Sequence, residues 1–371
     1  MHLGIDASRA VGRRRTGTEN YSLQIICALL KIDRENEYTL YTGADADESV
    51  FGGDSAASVR VLRSRYLWTH GRLSWEMLRR SPDVLFVPAH VLPVYRGCPS
   101  VVTIHDLGYL RFPEAHRPLS RWHLRWGTAY SAHAAKRVIA VSAATKQDLI
   151  DRLGLSPAKI SVVPEACPPG FEPLADPEVG QVIAGEYGLN PPYIVTVGTV
   201  HPRKNVTRLL QAFAAARKRN RLPHQLALIG QPGWRSDVIQ SLIAELGLAD
   251  AVIMTGYVPD EHLPSLLGAA EALVFPSLYE GFGLPVLEAM ACRVPVIAAN
   301  ASSLPEVVGD AGLLVDPLDV DELAEAIGRL LGDERLREDL AERGYARART
   351  FSWERAARDT LAVLTAAVGS S

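Results

Sequence analysis

Short runs of apolar residues recur along the whole chain, and longer stretches with helical periodicity separate them. Each run is continuous, whereas a half-buried strand would alternate apolar and polar positions. Strands with two apolar faces are typical of parallel sheets that helices cover on both sides. The pattern therefore predicts an α/β protein with doubly wound parallel sheets. The expected strands are residues 3–5, 38–41, 59–62, 84–87, 101–104, 138–141, 160–163, 193–197, 226–229, 252–254, 272–275, 295–298 and 313–315.

A chain of 371 residues suggests two such domains, each large enough for its own core. A proline-rich stretch, CPPGFEPLADPE, interrupts the pattern and predicts a linker at 167–178. The first Rossmann-like domain then covers 1–166, and the second covers 179–350. The segment 351–371 has the pattern of a helix that could pack on either domain. Ligands of doubly wound sheets bind outside the carboxyl ends of the strands, so we expect a site in a cleft between the domains.

The composition is that of a soluble globular enzyme, with 47% hydrophobic and 22% charged residues. The sequence has no apolar run long enough to span a membrane and no signal peptide, and its four cysteines are scattered without metal spacing. These features predict a cytoplasmic protein with reduced thiols. Residues 1–166 carry a net positive charge and the remainder a net negative charge, so the two halves are expected to meet different partners.

The motif YEGFGLPVLEAMA follows a predicted strand and leads into a helix. Its glycines, Gly281 and Gly283, let a ligand approach the backbone closely, and Pro285 suits the first helical turn. The unpaired amides of such a helix start bind anions, for example a diphosphate. The carboxylates of Glu280 and Glu288 would repel a diphosphate, but they accept hydrogen bonds from the hydroxyls of ribose and of a sugar. The motif therefore indicates a nucleotide-sugar site.

Acidic residues are also common at helix starts, where they complement the helix dipole. This simpler interpretation is sufficient for either carboxylate alone. The combination of strand, glycines, proline and two carboxylates favours the nucleotide-sugar site.

A basic turn, VGTVHPRKN, follows another predicted strand of the same domain. Gly198 stands at the end of that strand, and Arg203 and Lys204 supply adjacent positive charges. Such charges suit a diphosphate and would stabilise a departing nucleoside diphosphate. A solvated basic turn is the alternative, but the position at a carboxyl strand end favours a functional one.

In the first domain, His105 and Asp106 follow the predicted strand 101–104. A histidine at this end of a strand points into the predicted cleft and could bind sugar hydroxyls or an acceptor group. A structural histidine is the alternative, and Asp106 could instead cap the next turn.

Two D-x-D patterns, Asp45 to Asp47 and Asp319 to Asp321, invite a metal-binding interpretation. Both lie in polar stretches and are better explained as a solvated loop and a helix cap. No cluster of His, Cys and acidic residues has metal spacing, so neither a metal nor another cofactor is expected. The sequence also lacks G-x-S-x-G, and G-x-G-x-x-G after the first strand, which argues against a serine hydrolase and an ordinary dehydrogenase.

Two segments of the first domain combine arginines with tryptophans. They fit an anionic membrane surface or a phosphate-bearing acceptor, and a solvated helix face with buried tryptophans is an equal alternative. Nucleic acid fits less well, because the chain is slightly acidic and no recognition fold is evident. The residues are Arg60, Arg63, Arg65, Arg72, Arg79 and Arg80 with Trp68 and Trp75, followed by Arg117, Arg121 and Arg125 with Trp122 and Trp126.

The sequence resembles the retaining glycosyltransferases of family 4 over nearly its whole length. The resemblance rests on E-GFGLPVL-E and GTVHPRKN, with support from the His105 strand end, VSAATKQDL around Ser142 and the terminal FSWERAA. It implies the GT-B fold, in which two doubly wound Rossmann-like domains face a deep cleft. It also implies metal-independent transfer of a hexose from a nucleotide-sugar with retention of configuration, and a last helix that crosses back to the first domain.

The resemblance further implies two groups of site residues. The catalytic group comprises a residue near the reacting carbon, residues that stabilise the leaving diphosphate and a residue that holds the donor-sugar hydroxyls. These are, in that order, His105, then Arg203 and Lys204, and Glu280. Those called donor-binding meet the phosphates, the ribose and the base; they are Gly17, Gly198, Tyr257, Val258, Gly281, Phe282, Gly283, Leu284 and Glu288. Within these groups, Glu280 is assigned to the sugar hydroxyls and Glu288 to the ribose diol.

The pattern G-T-x-x-P-R-K-N is similar to that of mannosyltransferases that use GDP-mannose. Mannose is therefore the expected hexose, transferred to a saccharide or lipid-linked acceptor in cell-surface glycan synthesis, in the cytoplasm or at the inner face of the membrane. Two alternatives stay open. A nucleotide-sugar epimerase or hydrolase of the same fold would form product without an acceptor, and a two-domain small-molecule binding protein would turn nothing over.

Overall fold

The chain forms two compact units. The first combines Met1–Ala166 with Phe351–Ser371, and the second is Cys167–Thr350. The computed structural model describes residues 1–12, 17–43, 48–51, 57–63, 67–89, 91–113, 118–233 and 236–369, without the side chains of residues 48, 49, 118–121 and 123.

The first unit is built on a parallel sheet. Among the described residues, its strands lie in the order β3-β2-β1-β4-β5-β6-β7. The chain starts in the middle of the sheet, winds to one edge, and then returns to wind to the other edge. The strands are β1 (His2–Asp6), β2 (Glu37–Thr42), β3 (Ala57–Val61), β4 (Val84–Val87), β5 (Ser100–Ile104), β6 (Arg137–Ala140) and β7 (Ile160–Val162).

Helices connect these strands, and the last helix of the chain joins them. The helices are α1 (Gly17–Ile32), α2 (Ser74–Arg79), α3 (Gly108–Arg111), α4 (Pro118–Ala134), α5 (Ala143–Leu153) and α14 (Trp353–Gly369), with a π-helical turn (Trp68–Leu73) before α2. Helix α14 packs on α1 and on β4, β5 and β6. In this contact Lys31 donates a hydrogen bond to Glu354 over 2.9 Å. The final segment therefore completes the first unit.

The second unit repeats this winding. Among the described residues, the strand order is β10-β9-β8-β11-β12-β13, again all parallel. Its strands are β8 (Tyr193–Val197), β9 (Gln225–Ile229), β10 (Val252–Gly256), β11 (Ala272–Phe275), β12 (Val296–Ala299) and β13 (Leu313–Val315). Its helices are α6 (Pro177–Glu186), α7 (Val206–Asn220), α8 (Ser236–Glu245), α9 (Leu263–Gly268), α10 (Leu284–Ala291), α11 (Leu304–Val308), α12 (Val320–Gly332) and α13 (Glu334–Ala348).

The predicted α/β fold with parallel sheets is confirmed. Every predicted strand is present, and its ends move by at most two residues. Burial explains this agreement, because central strands such as β4 and β11 are buried at every position and so need apolar side chains on both faces. The predicted linker 167–178 overlaps the first two residues of α6. The helix begins there because Asp176 caps it by accepting a hydrogen bond from the amide of Glu178.

Helix α14 is expected to contribute strongly to the stability of the first unit. Replacing the fully buried Leu364 by Ala should lower the free energy of unfolding of this unit by about 2–5 kcal/mol, because a cavity remains. Hydrogen exchange measured by mass spectrometry would report this as faster exchange in β4–β6, with β8–β12 unchanged. The matched control is Thr365→Ala at the neighbouring exposed position. Equal exchange in the two variants would contradict the packing role of α14.

Candidate active site

The strand order of the second unit brings two distant loops together. β8 and β11 are neighbours in the sheet, and they lie where the direction of winding reverses. The loops that follow their carboxyl ends therefore start side by side. In open α/β sheets this crevice is the usual place for a ligand.

Glu280, in the loop after β11, contacts two cations from the loop after β8. Arg203 Nη1 donates to Oε2 of Glu280 over 2.8 Å, and Lys204 Nζ donates to Oε1 over 2.7 Å. The Glu280 residue is only 7% exposed. Burial acts to raise its pKa, but the charges of Lys204 and then of Arg203 outweigh burial and hold the pKa below its usual value. The cluster thus holds an ionised carboxylate between two positive charges.

Lys204 reaches this position through space that Gly198 leaves open. Gly198 ends β8 with a φ of +138°, and a Cβ at this residue would lie 2.9 Å from Cε of Lys204. The Lys204 ammonium also lies 4.4 Å from the centre of the Phe275 ring in β11. The glycine at the strand end therefore leaves the space that the lysine side chain occupies beside Glu280.

The loop that carries Arg203 and Lys204 is held at both ends. It forms a 3₁₀ turn (Pro202–Lys204), and the His201 ring accepts a hydrogen bond from the Arg203 amide over 3.2 Å. After the turn, the buried Asn205 amide donates to the carbonyl of Pro276 over 3.1 Å and to that of Pro317 over 2.6 Å. Asn205 therefore ties this loop to the loops after β11 and β13.

Two serines after β12 fix the loop that carries Glu280. Ser302 Oγ donates to the Glu280 carbonyl over 2.6 Å, and Ser303 Oγ donates to the Phe282 carbonyl over 2.7 Å. The sequence did not predict Asn205 or either serine as a site residue. Asn205 lies within the GTVHPRKN motif, and the serines follow a predicted strand, so their position at the carboxyl edge was the available signal.

The helix start predicted after Glu280 is present. Gly283 is the residue before α10, with a φ of +115°, and a Cβ there would lie 2.7 Å from Leu304. The amides of Phe282 to Leu284 thus belong to the first turn and the residues before it. Backbone amides at the start of a helix are the feature that suits a phosphate.

Glu288, the second carboxylate of the motif, is buried in α10 with 8% exposure. Its charge contributes to the raised pKa of two thiols, those of Cys292 and Cys167. Burial, followed by the charge of Glu288, raises the pKa of Cys292 to about 12. The same two causes raise the pKa of Cys167. Glu288 is therefore shielded from water, and a hydrogen bond to a buried group is stronger than one in water.

Tyr257 and Val258 follow β10 at the same edge of the sheet. Tyr257 is 49% exposed, whereas Val258 is buried. The Gly230 amide at the end of β9 donates to the carbonyl of Gly256 over 3.0 Å, which fixes the start of this segment. The segment is two strands away from β8.

His105 and Gly17 belong to the first unit. Gly17 is the first residue of α1. His105 follows β5, is buried, and lies 3.0 Å from Glu165 through Nδ1 and 3.0 Å from the Pro88 carbonyl through Nε2. Asp106 accepts a hydrogen bond from the Gly108 amide over 2.8 Å, as the capping alternative predicted.

The described residues contain no group of three or more His, Cys, Asp or Glu side chains that could hold a metal ion. Asp319 caps α12 by accepting from the amides of Asp321 and Glu322, as predicted for the second D-x-D pattern. The first pattern, Asp45 to Asp47, lies outside the described residues. Within the described part of the chain, no helix is long and apolar enough to cross a membrane.

Known proteins resemble the chain in both halves. Residues 15–169 match the family described as Glycosyltransferase Family 4, and residues 184–347 match Glycosyl transferases group 1. The O-antigen chain mannosyltransferase B of Escherichia coli is 34% identical over 362 residues, which cover 93% of this chain and 95% of that protein. The chain belongs to glycosyltransferase family 4.

Other similarities agree with this assignment. The MMP alpha-(1->4)-mannosyltransferase of Mycolicibacterium hassiacum is 35% identical over 287 residues, covering 73% of the glycosyltransferase described here and 66% of that protein. Sucrose-phosphate synthase of Thermosynechococcus elongatus has a TM-score of 0.76 at 22% identity, with complete coverage of both chains. HepE of Anabaena, solved with UDP-glucose, has a TM-score of 0.76 at 20% identity and covers 98% of this chain and 99% of its own. These structures identify the fold as GT-B.

Replacing Glu280 by Gln is expected to lower the free energy of unfolding of the second unit by about 2–4 kcal/mol at pH 7, because Arg203 and Lys204 then lie together without a counter-charge. Since the folded-state pKa is lowered, this stabilisation is present above the ordinary value of 4.5 and is lost as pH falls through the lowered value. Urea denaturation of variant and wild type, at neutral and at acidic pH, would measure the difference.

The control for this measurement is Asp250→Asn, which removes an exposed ion pair of 3.2 Å with Arg217. We expect the control to unfold like the wild type at neutral pH. A Glu280→Gln effect of equal size at neutral and acidic pH would show that charge compensation is not its cause.

Proposed function

We propose that the protein is a retaining, metal-independent hexosyltransferase that moves mannose from GDP-mannose to a saccharide or lipid-linked acceptor. The observation that carries this proposal is the Arg203–Lys204–Glu280 cluster beside the start of α10, at the point where the winding of the sheet reverses. Synthesis of a cell-surface glycan at the inner face of the membrane is part of the proposal.

The leaving diphosphate is the group that this cluster suits best. Two cations on one carboxylate leave a net positive charge, and the amides of Phe282 to Leu284 add donors at a helix start. Fixed donors of this kind stabilise charge that develops during a reaction without reorganising. We therefore assign Lys204 and Arg203 to the departing nucleoside diphosphate.

The uncharged parts of the donor fit the two carboxylates. Glu280 keeps lone pairs beyond its two cation contacts, and these can accept from hydroxyls of the donor sugar. Glu288 is assigned to the ribose diol, and the backbone at Tyr257 and Val258 to the base. Tyr257 and Val258 follow β10 at the carboxyl edge of the same sheet.

In the proposed reaction, the acceptor oxygen bonds to the anomeric carbon on the face that the diphosphate leaves. The bond between that carbon and the phosphate oxygen breaks, and the acceptor's proton passes to the departing phosphate. Configuration is thereby retained, and neither a metal ion nor a protein nucleophile takes part.

Mannose and the acceptor class are supported by the relatives. The E. coli and Mycolicibacterium proteins are mannosyltransferases by name, and the first is named for the O-antigen chain. Similarity over nearly the whole length of the E. coli protein includes the first unit, which is the unit assigned to the acceptor.

Replacing Glu288 by Gln is expected to weaken GDP binding about tenfold or more, because a hydrogen bond to a buried charged acceptor is worth about 1.5–3 kcal/mol. Isothermal titration calorimetry in EDTA, with GDP, UDP and ADP, would measure both this loss and the preference among bases. Glu245→Gln, at an exposed position of α8, is the control with the same chemical change. Unaltered GDP affinity in Glu288→Gln would refute the ribose assignment.

Turnover with GDP-mannose in EDTA distinguishes the alternatives. Slow GDP release from donor alone and faster release with a saccharide acceptor support transfer. Product at full rate without an acceptor would indicate an epimerase or a hydrolase. Binding without any turnover would indicate a binding protein, and a strict need for magnesium would contradict the metal-independent mechanism.

We also propose that the first unit contacts an anionic lipid surface through an exposed aromatic face. This face is defined by Trp75, Leu78, Val94, Tyr95, Trp122 and Trp126, whose exposure ranges from 46% to 62%. The alternative of buried tryptophans is therefore wrong for Trp75, Trp122 and Trp126.

Hydrogen bonds connect the elements that carry the aromatic face. The Tyr95 amide donates to Ser74 in α2 over 3.3 Å, and the Tyr130 hydroxyl in α4 donates to the Val94 carbonyl over 3.1 Å. Arg79 lies 5.2 Å from the centre of the Trp75 ring. The sequence of α4 contains arginines and no acidic residue, so this helix carries a net positive charge that suits an anionic surface. Arg65 and Arg117 lie outside the described residues, as does the side chain of Arg121.

Replacing Trp122 and Trp126 together by Ser is expected to reduce binding to phosphatidylcholine vesicles that contain phosphatidylglycerol by about tenfold, because interfacial anchors are lost. Co-sedimentation at low and high salt measures the binding. Val182→Ser, an exposed apolar position of the second unit, is the control. Equal binding of wild type to vesicles without anionic lipid, or equal binding of the double variant, would overturn this part of the proposal.

A further inference from the structure

The His105 ring lies between two hydrogen-bond acceptors. Nδ1 is 3.0 Å from Oε1 of Glu165, and Nε2 is 3.0 Å from the carbonyl oxygen of Pro88. A carbonyl oxygen only accepts, so Nε2 carries a hydrogen. An ionised Glu165 also only accepts, so Nδ1 carries one as well. A ring with hydrogens on both nitrogens is an imidazolium.

The surroundings of the ring make its charge depend on Glu165. His105 and Glu165 are 8% and 4% exposed, so neither charge is hydrated extensively. Burial acts to lower the pKa of His105, but the hydrogen bond and charge of Glu165, with the Pro88 carbonyl, outweigh it and raise the pKa. Without the carboxylate, burial would favour the neutral ring.

Other contacts fix the orientation of the ring. Tyr21 of α1 meets it edge to face, with ring centres 4.7 Å apart and planes at 85°. Thr145 of α5 donates to the His105 carbonyl over 3.2 Å. Among the residues that the structure describes, the titratable groups that face the ring include Glu165, Asp106 and Tyr21. Burial raises the pKa of Tyr21, so this phenol stays neutral at working pH.

The pair lies at the carboxyl edge of the first sheet. Pro88 directly follows β4 and His105 directly follows β5, which is its neighbour. Glu165 comes after β7, one residue before the chain leaves the first unit at Ala166. Doubly wound sheets bind their ligands at the carboxyl edge, so His105 and Glu165 lie where a ligand is expected.

We propose that Glu165 is a positioning residue that keeps His105 as an imidazolium, so that the ring donates from both nitrogens and cannot accept a proton during glycosyl transfer. The inference rests on the proposed function for its role in turnover. The acceptor's proton then passes to the departing phosphate and not to His105. Loss of the hydrogen from either nitrogen would leave Glu165 or the Pro88 carbonyl without its donor, so the ionised state also fixes the ring at this edge.

The charge state is tested first, without any substrate. Glu165→Gln keeps the size of the side chain and an oxygen that accepts from Nδ1, but it removes the charge. In the wild type, selectively ¹⁵N-labelled His105, assigned with His105→Gln, should titrate above the ordinary value of 6.5. In Glu165→Gln we expect the midpoint to fall by about one pH unit or more.

The second unit provides a matched control for this change. His224 Nε2 lies 3.0 Å from Glu271 Oε2, in a pair that precedes β9 and β11 at the opposite, amino edge of its own sheet. Glu271→Gln removes the same charge from a histidine and should leave the titration of His105 and the turnover of donor unchanged.

The pH profile of GDP release from GDP-mannose then tests the role in turnover. In both proteins kcat should fall as pH rises through the titration midpoint measured for His105, so the fall should begin about one pH unit or more lower in Glu165→Gln than in the wild type. A purely structural role predicts a loss that is equal at every pH. Titration of wild-type His105 at or below 6.5, or parallel profiles, would overturn the inference. Absence of donor turnover in the wild type would refute the proposed function and leave the titration result standing.

Discussion

The contact of Glu280 with Arg203 and Lys204 is the interaction on which the second unit's site depends. Three charged groups are brought together from loops that are 76 and 77 residues apart in sequence. Like charges in neighbouring positions repel, so the two cations can stay at this depth only because a carboxylate lies between them. Gly198 leaves room for Lys204, Asn205 holds the cationic loop, and Ser302 holds the carboxylate loop. The surrounding contacts therefore hold Glu280 between Arg203 and Lys204.

Sequence predicted the strands well because continuous apolar runs report directly on burial at both faces, as in β4 and β11. It also placed Glu280 and Lys204 in one domain. It did not predict that they touch, because that contact follows from the adjacency of β8 and β11, which is a property of strand order and not of any local pattern. Glu165 and Ser302 were missed for a related reason. Each acts on a residue 60 or 22 positions away, and nothing in the adjacent sequence marks the partner.

The two units use buried charge in opposite ways. In the second unit a carboxylate is held ionised by two cations, and its pKa falls. In the first unit a carboxylate holds a histidine in its charged form, and the pKa of the histidine rises. The cluster of the second unit carries a net positive charge, whereas His105 and Glu165 balance each other. A polyanionic ligand would therefore be attracted by the edge of the second sheet, and such attraction is stronger where water is excluded.

The position of α14 has a consequence for the order in which the protein assembles on the ribosome. Residues 167–350 can close their own core as soon as they have emerged, because the second unit is one continuous segment of the chain. The first unit is synthesised earlier, yet the sheet face beneath α14 stays uncovered until the final helix arrives. The half that is made first is therefore finished last, and during that interval its apolar face is open to chaperones or to other nascent chains.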